Sequence, residues 1–362
     1  MKVAVTGATG TIGRALVAAL QERGDQVVVL SRNPGRATEA LGADVDAYAW
    51  ADPESQPAPA EALADVDAVV HLAGEPVDQR WDDEAKKRIR ESRELGTRNL
   101  VEGMKSAGPR LRTLVSASAS GYYGPKRDER VTEETPPGDD FLADVVVRWE
   151  REAQAAEGHG LRVAMLRTGI VLSAEGGALG RMLTPFKLGL GGPIAGGRQY
   201  MPWVHEDDVV GAYLFALDHD DASGPLNLSA PEPVTNREFS KALGNALHRP
   251  AVAPVPALAI KALYGEMAQI VVTGVRMVPA RLQELGYGFR HPELREALEA
   301  AVGWSCKKGV RPRSCASPCG SPRPWPPSRR APRRRSCRRP GHCRTGRAPS
   351  TSSPCGAATG AR

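Results

Sequence analysis

The first 304 residues contain no cysteine. That absence excludes a disulfide framework and a thiolate metal site from the body of the chain. No metal ligands are assigned there. All six cysteines, Cys306, Cys315, Cys319, Cys337, Cys343 and Cys355, lie beyond residue 305. Long hydrophobic runs are missing as well: no apolar stretch approaches the ~20 residues that cross a bilayer. After Met1-Lys2 the apolar Val3-Ala4-Val5 is interrupted by Thr6-Gly7, far short of a signal-peptide core. The expectation is a cytoplasmic protein with no membrane partner. Acidic residues are absent from Ser305 to Arg362, a stretch that holds 15 of the 48 basic residues. The 42 acidic residues therefore share residues 1–304 with 33 basic ones, a net of −9, although the whole chain carries +6.

Residues 304–362 are rich in Arg, Pro, Ser, Gly and Cys and nearly free of large aliphatics. Such a segment cannot bury enough apolar surface to offset its ordering entropy. Three readings compete. Out-of-frame translation of a GC-rich coding sequence would generate this mixture and start as abruptly. A disordered basic arm could touch nucleic acid. A zinc module would need paired spacing that Cys315/Cys319 and Cys337/His342/Cys343 do not supply. Nucleic acid as a partner rests on this tail alone.

The body alternates strands and helices. Lys2–Thr6 is a short β-branched run of the kind that forms a buried parallel strand, followed by a helical pattern over Ile12–Arg23. Gln26–Leu30, Val66–Ala73, Leu111–Ser118 and Leu161–Thr168 read as further strands. Helices are expected at Asp82–Met104 and Phe141–Glu157. The pattern predicts an α/β fold, a doubly wound parallel Rossmann sheet with a smaller, mostly helical C-terminal lobe. The nucleotide-binding domain is assigned to 1–172 with a return segment at about 200–228. The smaller, substrate-side lobe is assigned to 173–199 and 229–303. Within these, a helix is expected at Asp207–Leu217, capped by Asp207 or Asp208. Others are expected at Leu179–Leu188, Asn236–Leu247, Ala257–Met267, Pro279–Leu285 and His291–Val302. No internal repeat is visible.

The strongest motif is Thr6-Gly7-Ala8-Thr9-Gly10-Thr11-Ile12-Gly13, set between a strand and a helix. Gly7 permits a tight turn, Gly10 lets backbone approach a pyrophosphate, and Gly13 lets helix and strand pack closely. The helix N-terminus then offers free N–H groups and a positive dipole end. Gly7, Thr9, Gly10, Thr11, Ile12 and Gly13 are the candidate phosphate-side residues. The second strand ends Leu30-Ser31-Arg32-Asn33, with no acid to take the ribose hydroxyls of NAD. Ser31 and Arg32 suit a 2′-phosphate instead, so NADP(H) is the expected cofactor. The competing reading makes Arg32 an exposed surface charge.

These motifs resemble the extended short-chain dehydrogenase/reductases. Further stretches are similar to an atypical subgroup, the epimerase family proteins. They are His71-Leu72-Ala73-Gly74-Glu75, Arg80-Trp81, Glu91-Ser92-Arg93, Ser116 through Gly124, Leu166 through Leu172, Gly191 through Ile194, Trp203-Val204-His205 and Ala230 through Asn236. The part from Val255 to Leu282 resembles that group's closing domain. The resemblance covers about residues 1–302. It implies that Leu72, Ala73 and Gly74 line the adenine–ribose side. It implies that Arg93 contacts the cofactor, and that Arg167 and Val171 lie near the nicotinamide. Against this, Arg93 also reads as a surface charge on a charge-rich helix, and His205 reads best as a packed loop histidine.

Ordinary members carry Tyr-x-x-x-Lys on the helix after the serine strand, the Tyr as acid/base and the Lys to lower its pKa. Anchoring the helix on Glu150 puts Leu142 at the Tyr position and Val146 at the Lys position. Neither moves a proton. Ser118 is the leading catalytic candidate, with Ser120 if the register slips. Tyr122 or Tyr123 is a substitute acid. All also read as ordinary strand-end hydroxyls and half-buried aromatics. Two functions follow. One is an NADP(H)-dependent oxidoreductase or epimerase-like enzyme acting on a small polar or sugar-nucleotide-like substrate. The other is a non-catalytic NADP(H)-binding regulator.

Overall fold

The computed structural model describes residues 1–303. The basic segment and its three competing readings lie outside the described residues. Among the described residues no helix is long and apolar enough to cross a membrane.

The chain opens with strand β1 (Lys2–Thr6), helix α1 (Thr11–Glu22), β2 (Gln26–Ser31), α2 (Pro34–Leu41), β3 (Val45–Ala49), the short α3 (Ala60–Leu63), β4 (Ala68–His71) and α4 (Asp83–Met104). It continues with β5 (Thr113–Ala119), the two-residue β6 (Arg130–Val131), α5 (Phe141–Gln154) and β7 (Arg162–Thr168). Asp82 and Asp140 cap α4 and α5, accepting from Ala85 N and Ala143 N at 2.7 and 2.9 Å. α2 and β3 carry no clear sequence signature. Both lie in a charged, alanine-rich stretch whose apolar residues are too sparse to show a period.

Seven parallel strands form one sheet in the order β11-β7-β5-β4-β1-β2-β3, where β11 is Gly224–Leu228. Helices cover both faces, which is why Val3, Val5, Val29, Val69, Val70 and Leu114 are all fully buried. The strand order reverses direction between β1 and β4. In such sheets ligands bind at this switch point, beyond the carboxyl ends of the strands.

After β7 come β8 (Ile170–Leu172), α6 (Gly177–Lys187), β9 (Tyr200–Met201), β10 (Trp203–His205) and α7 (Glu206–Asp218). Past β11 lie β12 (Val234–Thr235), α8 (Asn236–Ala246), α9 (Ala257–Tyr264), α10 (Ala268–Val272), β13 (Arg276–Met277), α11 (Ala280–Glu284) and α12 (Leu294–Ala301). A second core around Trp203, Phe239, Leu172 and Leu298 joins α6, α8 and α12 to β8 and β10.

Three sequence expectations are corrected here. α7 is capped neither by Asp207 nor by Asp208: His205 caps it, its Nδ1 accepting from Asp207 N at 3.1 Å. His205 is thus the last residue of β10, paired in register with Leu172, and not a loop residue. The helix expected over Ala257–Met267 breaks at Gly265, which takes φ +62° and opens a 3-10 turn.

Candidate functional site

The glycine loop fills the gap between β1 and α1. Gly7 has φ +66°, and a Cβ there would lie 2.7 Å from the carbonyl carbon of Leu72. The loop therefore rests directly on the backbone that follows β4. A Cβ on Gly13 would lie 2.3 Å from Gly7 O, so helix and turn are in backbone contact. Gly10 differs: its nearest neighbour would be Gly7 O at 3.3 Å, and its other side is open. Gly10 is also the N-cap of α1 and has no side chain with which to cap it. The first-turn amides of Thr11, Ile12 and Gly13 are left for a ligand. Thr9 and Gly10 are exposed, Thr11 and Ile12 half-buried. A Cβ on Gly176 would approach Thr11 Oγ1 to 3.0 Å, which places the start of α6 beside the same helix end.

A buried network holds this loop to β4. Thr6 Oγ1 lies 2.7 Å from His71 Nδ1 and also accepts from Leu72 N and Ala73 N at 3.2 and 3.3 Å. With two donors already aimed at it, the hydroxyl gives its one proton to Nδ1. The His71 proton then sits on Nε2 and is donated to Thr97 Oγ1 at 2.9 Å. Burial holds the imidazole neutral, its pKa pushed down to about 4, with the Arg93 charge adding to the effect. Sequence reasoning missed this network, because Thr6, His71 and Thr97 are brought together only by the β1–β4 pairing and the packing of α4.

At the end of β2, Ser31 Oγ donates to Asn33 O at 3.2 Å and accepts from Asn33 N at 3.1 Å. Asn33 Oδ1 in turn caps α2 through Arg36 N at 3.1 Å. These bonds tie up the turn and leave Arg32 exposed, with no ion-pair or hydrogen-bond partner among the described residues. Because Thr6 pairs with Leu30, Arg32 stands one strand over from the glycine loop at the same sheet edge.

Arg93 is not a surface charge. Its Nη1 donates to Glu75 O at 2.8 Å and Ile89 O at 3.2 Å, and its guanidinium lies 5.1 Å from the Trp149 ring. A Cβ on Gly74 would lie 3.1 Å from Arg93 Cζ, so glycine makes room for the cation against the chain after β4. Burial lowers its pKa to about 10, against the opposing pull of Glu75. Leu72, Ala73, Gly74 and Arg93 thus form one wall next to the loop. Val171 pairs with Val204 in the β8–β10 ribbon, half-buried.

The candidate catalytic residues fall into a second buried network. Ser118 is 4% exposed, and its Oγ donates to Glu150 Oε1 at 2.5 Å. Glu150 also takes a two-pronged ion pair from Arg167, with Nε and Nη2 each at 2.8 Å. Arg167 Nη1 donates to Tyr123 Oη at 3.0 Å and Glu133 O at 3.2 Å. Tyr123 Oη donates to Asn227 Oδ1 at 2.6 Å. Burial raises the Tyr123 pKa to about 12 and works against the Arg167 charge, which Glu150 nonetheless holds firmly protonated. Ser118, Tyr123 and the guanidinium of Arg167 are therefore committed to one another. Tyr122 is the exception. Its ring stacks on the Arg167 guanidinium, 3.4 Å from Cζ to centroid, while its hydroxyl bonds to nothing among the described residues.

The helix positions examined for a Tyr–Lys pair face this site. A Cβ on Gly121 would meet Leu142 Cβ at 3.4 Å and Val146 Cγ2 at 3.9 Å. Both side chains are hydrocarbon, so neither moves a proton. Glu150 follows Leu142 and Val146 at spacings of four, on the same helical face, and that period is the signal that could have marked it as an inward carboxylate.

A parallel sheet with an open glycine turn at its switch point defines the Rossmann-type class. Residues 3–229 match the model of the NAD dependent epimerase/dehydratase family, and residues 255–301 match a domain of unknown function (DUF1731). The chain belongs to the NAD dependent epimerase/dehydratase family. An epimerase family protein of Mycobacterium leprae is 41% identical over 303 residues, covering 83% of this chain and 95% of its own length. Epimerase family protein SDR39U1 of Mus musculus is 37% identical, covering 83% and 100%. The crystal structure of human SDR39U1 (isoform 2) with NADPH superposes with a TM-score of 0.74 at 35% identity, over 84% of this chain and 100% of that one. A nucleoside-diphosphate sugar epimerase from Corynebacterium glutamicum gives 0.68 at 34% identity, over 84% of this chain and 58% of that one.

Proposed function

We propose that this protein is an NADP(H)-binding oxidoreductase or epimerase-like protein of the atypical extended short-chain dehydrogenase/reductase type. The observation that carries the reading is the open, uncapped turn at Gly10, with Arg32, which has no partner among the described residues, one strand away. The donor set fits a dinucleotide phosphate: free first-turn amides for a pyrophosphate, and a guanidinium with a neighbouring hydroxyl for a 2′-phosphate. Gly7, Thr9, Gly10, Thr11, Ile12 and Gly13 would hold the pyrophosphate, and Ser31 and Arg32 the 2′-phosphate. Leu72, Ala73, Gly74 and Arg93 would flank the adenosine half, and Val171 and Arg167 the far end. The NADPH-bound human relative supports this choice of cofactor.

The cofactor would supply a hydride to, or accept one from, a substrate carbon. Proton transfer falls to Tyr122 Oη, a hydroxyl with no partner among the described residues. Arg167, stacked under its ring, would favour the phenolate that remains. Ser118 and Glu150 would position Arg167 and not touch substrate. Residues 173–199 and 229–303 form the substrate side, and the sugar-nucleotide relative favours a small polar or sugar-nucleotide-like substrate.

The test is oxidation of NADPH with a panel of carbonyl and sugar-nucleotide compounds. Turnover abolished by Tyr122→Phe with NADPH binding retained supports the enzyme. Turnover untouched by that change removes Tyr122 from the account. The hydrocarbon pair Leu142 and Val146 favours a second reading, a regulator that binds NADP(H) without turning it over. NADPH bound tightly and never oxidised across the panel would support it.

A further inference from the structure

Two segments 84 residues apart bring three metal-ligand side chains together. His205 ends β10, Asp207 stands in the first turn of α7, and His291 precedes α12. Asp207 Oδ2 lies 3.1 Å from His291 Nε2 and 3.8 Å from His205 Nδ1. The two imidazole rings lie with centroids 3.9 Å apart, tilted by 42°, and the three ligand atoms all fall within 4.8 Å of one another.

We propose that His205, Asp207 and His291 form a binding site for one divalent d-block cation, with zinc the best match. Zinc takes imidazole nitrogen and carboxylate oxygen at about 2.0–2.2 Å in a tetrahedron. Ligand atoms on a shared tetrahedral zinc are then roughly 3.3 Å apart by that geometry. The two observed spacings to Asp207 bracket this distance, so small rotations of the side chains suffice. Two imidazoles and one carboxylate select zinc, cobalt or nickel over magnesium and calcium, which prefer all-oxygen shells. The Asp207 side chain is 45% exposed, which leaves an entry path and room for a water in the fourth position.

The site is built before any ion arrives. Asp208, fully buried, accepts from Arg290 N at 2.5 Å and His291 N at 3.0 Å, and its carbonyl accepts from Tyr287 Oη at 2.8 Å. These bonds fix the backbone of residues 287–291 against α7 without using Asp207, and they set His291 over it. Two interactions must yield. Arg290 Nη1 stands 3.5 Å from Asp207 Oδ2, and it can keep the other oxygen of that carboxylate. His205 Nδ1 gives up its bond from Asp207 N, the cap of α7. A bound ion would staple α12 to the start of α7 and stabilise the closed arrangement by mass action. This inference stands independently of the cofactor assignment.

The test uses the full chain with its thiols alkylated. All six cysteines lie beyond residue 305, so alkylation removes thiolate ligands without touching the body. Zinc is titrated against a chromophoric chelator, and unfolding is followed with zinc and with EDTA. The wild type should take up one ion and unfold at higher temperature with it. His291→Ala and Asp207→Asn should each weaken binding at least tenfold and lose the zinc-dependent shift. Asp207→Asn keeps the backbone clasp made by Asp208, so its EDTA unfolding should match the wild type. No ion bound by the alkylated wild type, or wild-type affinity kept by either variant, would overturn the proposal.

Discussion

Ser118 Oγ gives its proton to Glu150 Oε1 across 2.5 Å, and Glu150 in turn neutralises Arg167 through two bonds of 2.8 Å. A serine at the end of β5 has been drawn inward by a carboxylate. The buried cation it serves then becomes a platform for Tyr122. A chain lacking the Tyr–Lys pair keeps the serine, yet commits it to structure.

That arrangement predicts a large effect from a small change. Glu150→Gln keeps the shape of the side chain but leaves the Arg167 charge unpaired in the interior. Breaking a buried pair from one side costs about 3–5 kcal/mol. Chemical denaturation should show a loss of that order. A loss below about 1 kcal/mol, the range of an exposed pair, would mean that Arg167 finds solvent or another partner.

The glycines of the loop should separate binding from folding. Gly10→Ala meets only Gly7 O at 3.3 Å, so the variant should fold with nearly native stability while NADPH affinity falls by at least tenfold. Gly13→Ala drives a Cβ to 2.3 Å from Gly7 O and should destabilise the whole domain. Thermal melts and cofactor titrations on both variants check the contrast. Equal loss of stability in the two would show that the open side of Gly10 is not open.

His71 sets a pH dependence of stability. Its imidazole is neutral in the fold with a pKa of about 4, against 6.5 for the unfolded chain. Between those values the unfolded state binds more protons, so stability falls as pH drops from 6.5 towards 4. The full effect is on the order of 3 kcal/mol by linkage. Buried His205 is shifted down in the same window, so urea unfolding should show the summed slope and His71→Gln should reduce it by roughly half. An unchanged slope in the variant would place the titrating group elsewhere.

Much of the sheet was legible because strands such as β1, β2 and β4 are short, continuous, valine-rich runs, and burial on both faces demands that pattern. The glycine loop was legible for a similar reason: three close backbone approaches require three glycines at fixed spacing. Other features depend on partners that the chain supplies from a distance. Arg93 reads as one more charge on a charged helix until Gly74 and Trp149 enclose it. Ser118 reads as an available hydroxyl until Glu150, 32 residues on, turns inward. His205 becomes a helix cap only once β10 pairs with β8. The α2–β3 segment, with little hydrophobic period, is built by its neighbours in the sheet.

Arg32, which has no partner among the described residues at the end of β2, is proposed to select a 2′-phosphate. Calorimetric titration of the full chain with NADPH and with NADH, repeated on Arg32→Ala, tests it most directly. A charge-assisted hydrogen bond contributes about 1.5–3 kcal/mol. The account therefore predicts NADPH binding at least tenfold tighter than NADH, a loss of roughly 10–100-fold in NADPH affinity in the variant, and NADH binding unchanged. Equal affinity for both cofactors in the wild type, or an Arg32→Ala variant that keeps its NADPH preference, would contradict it.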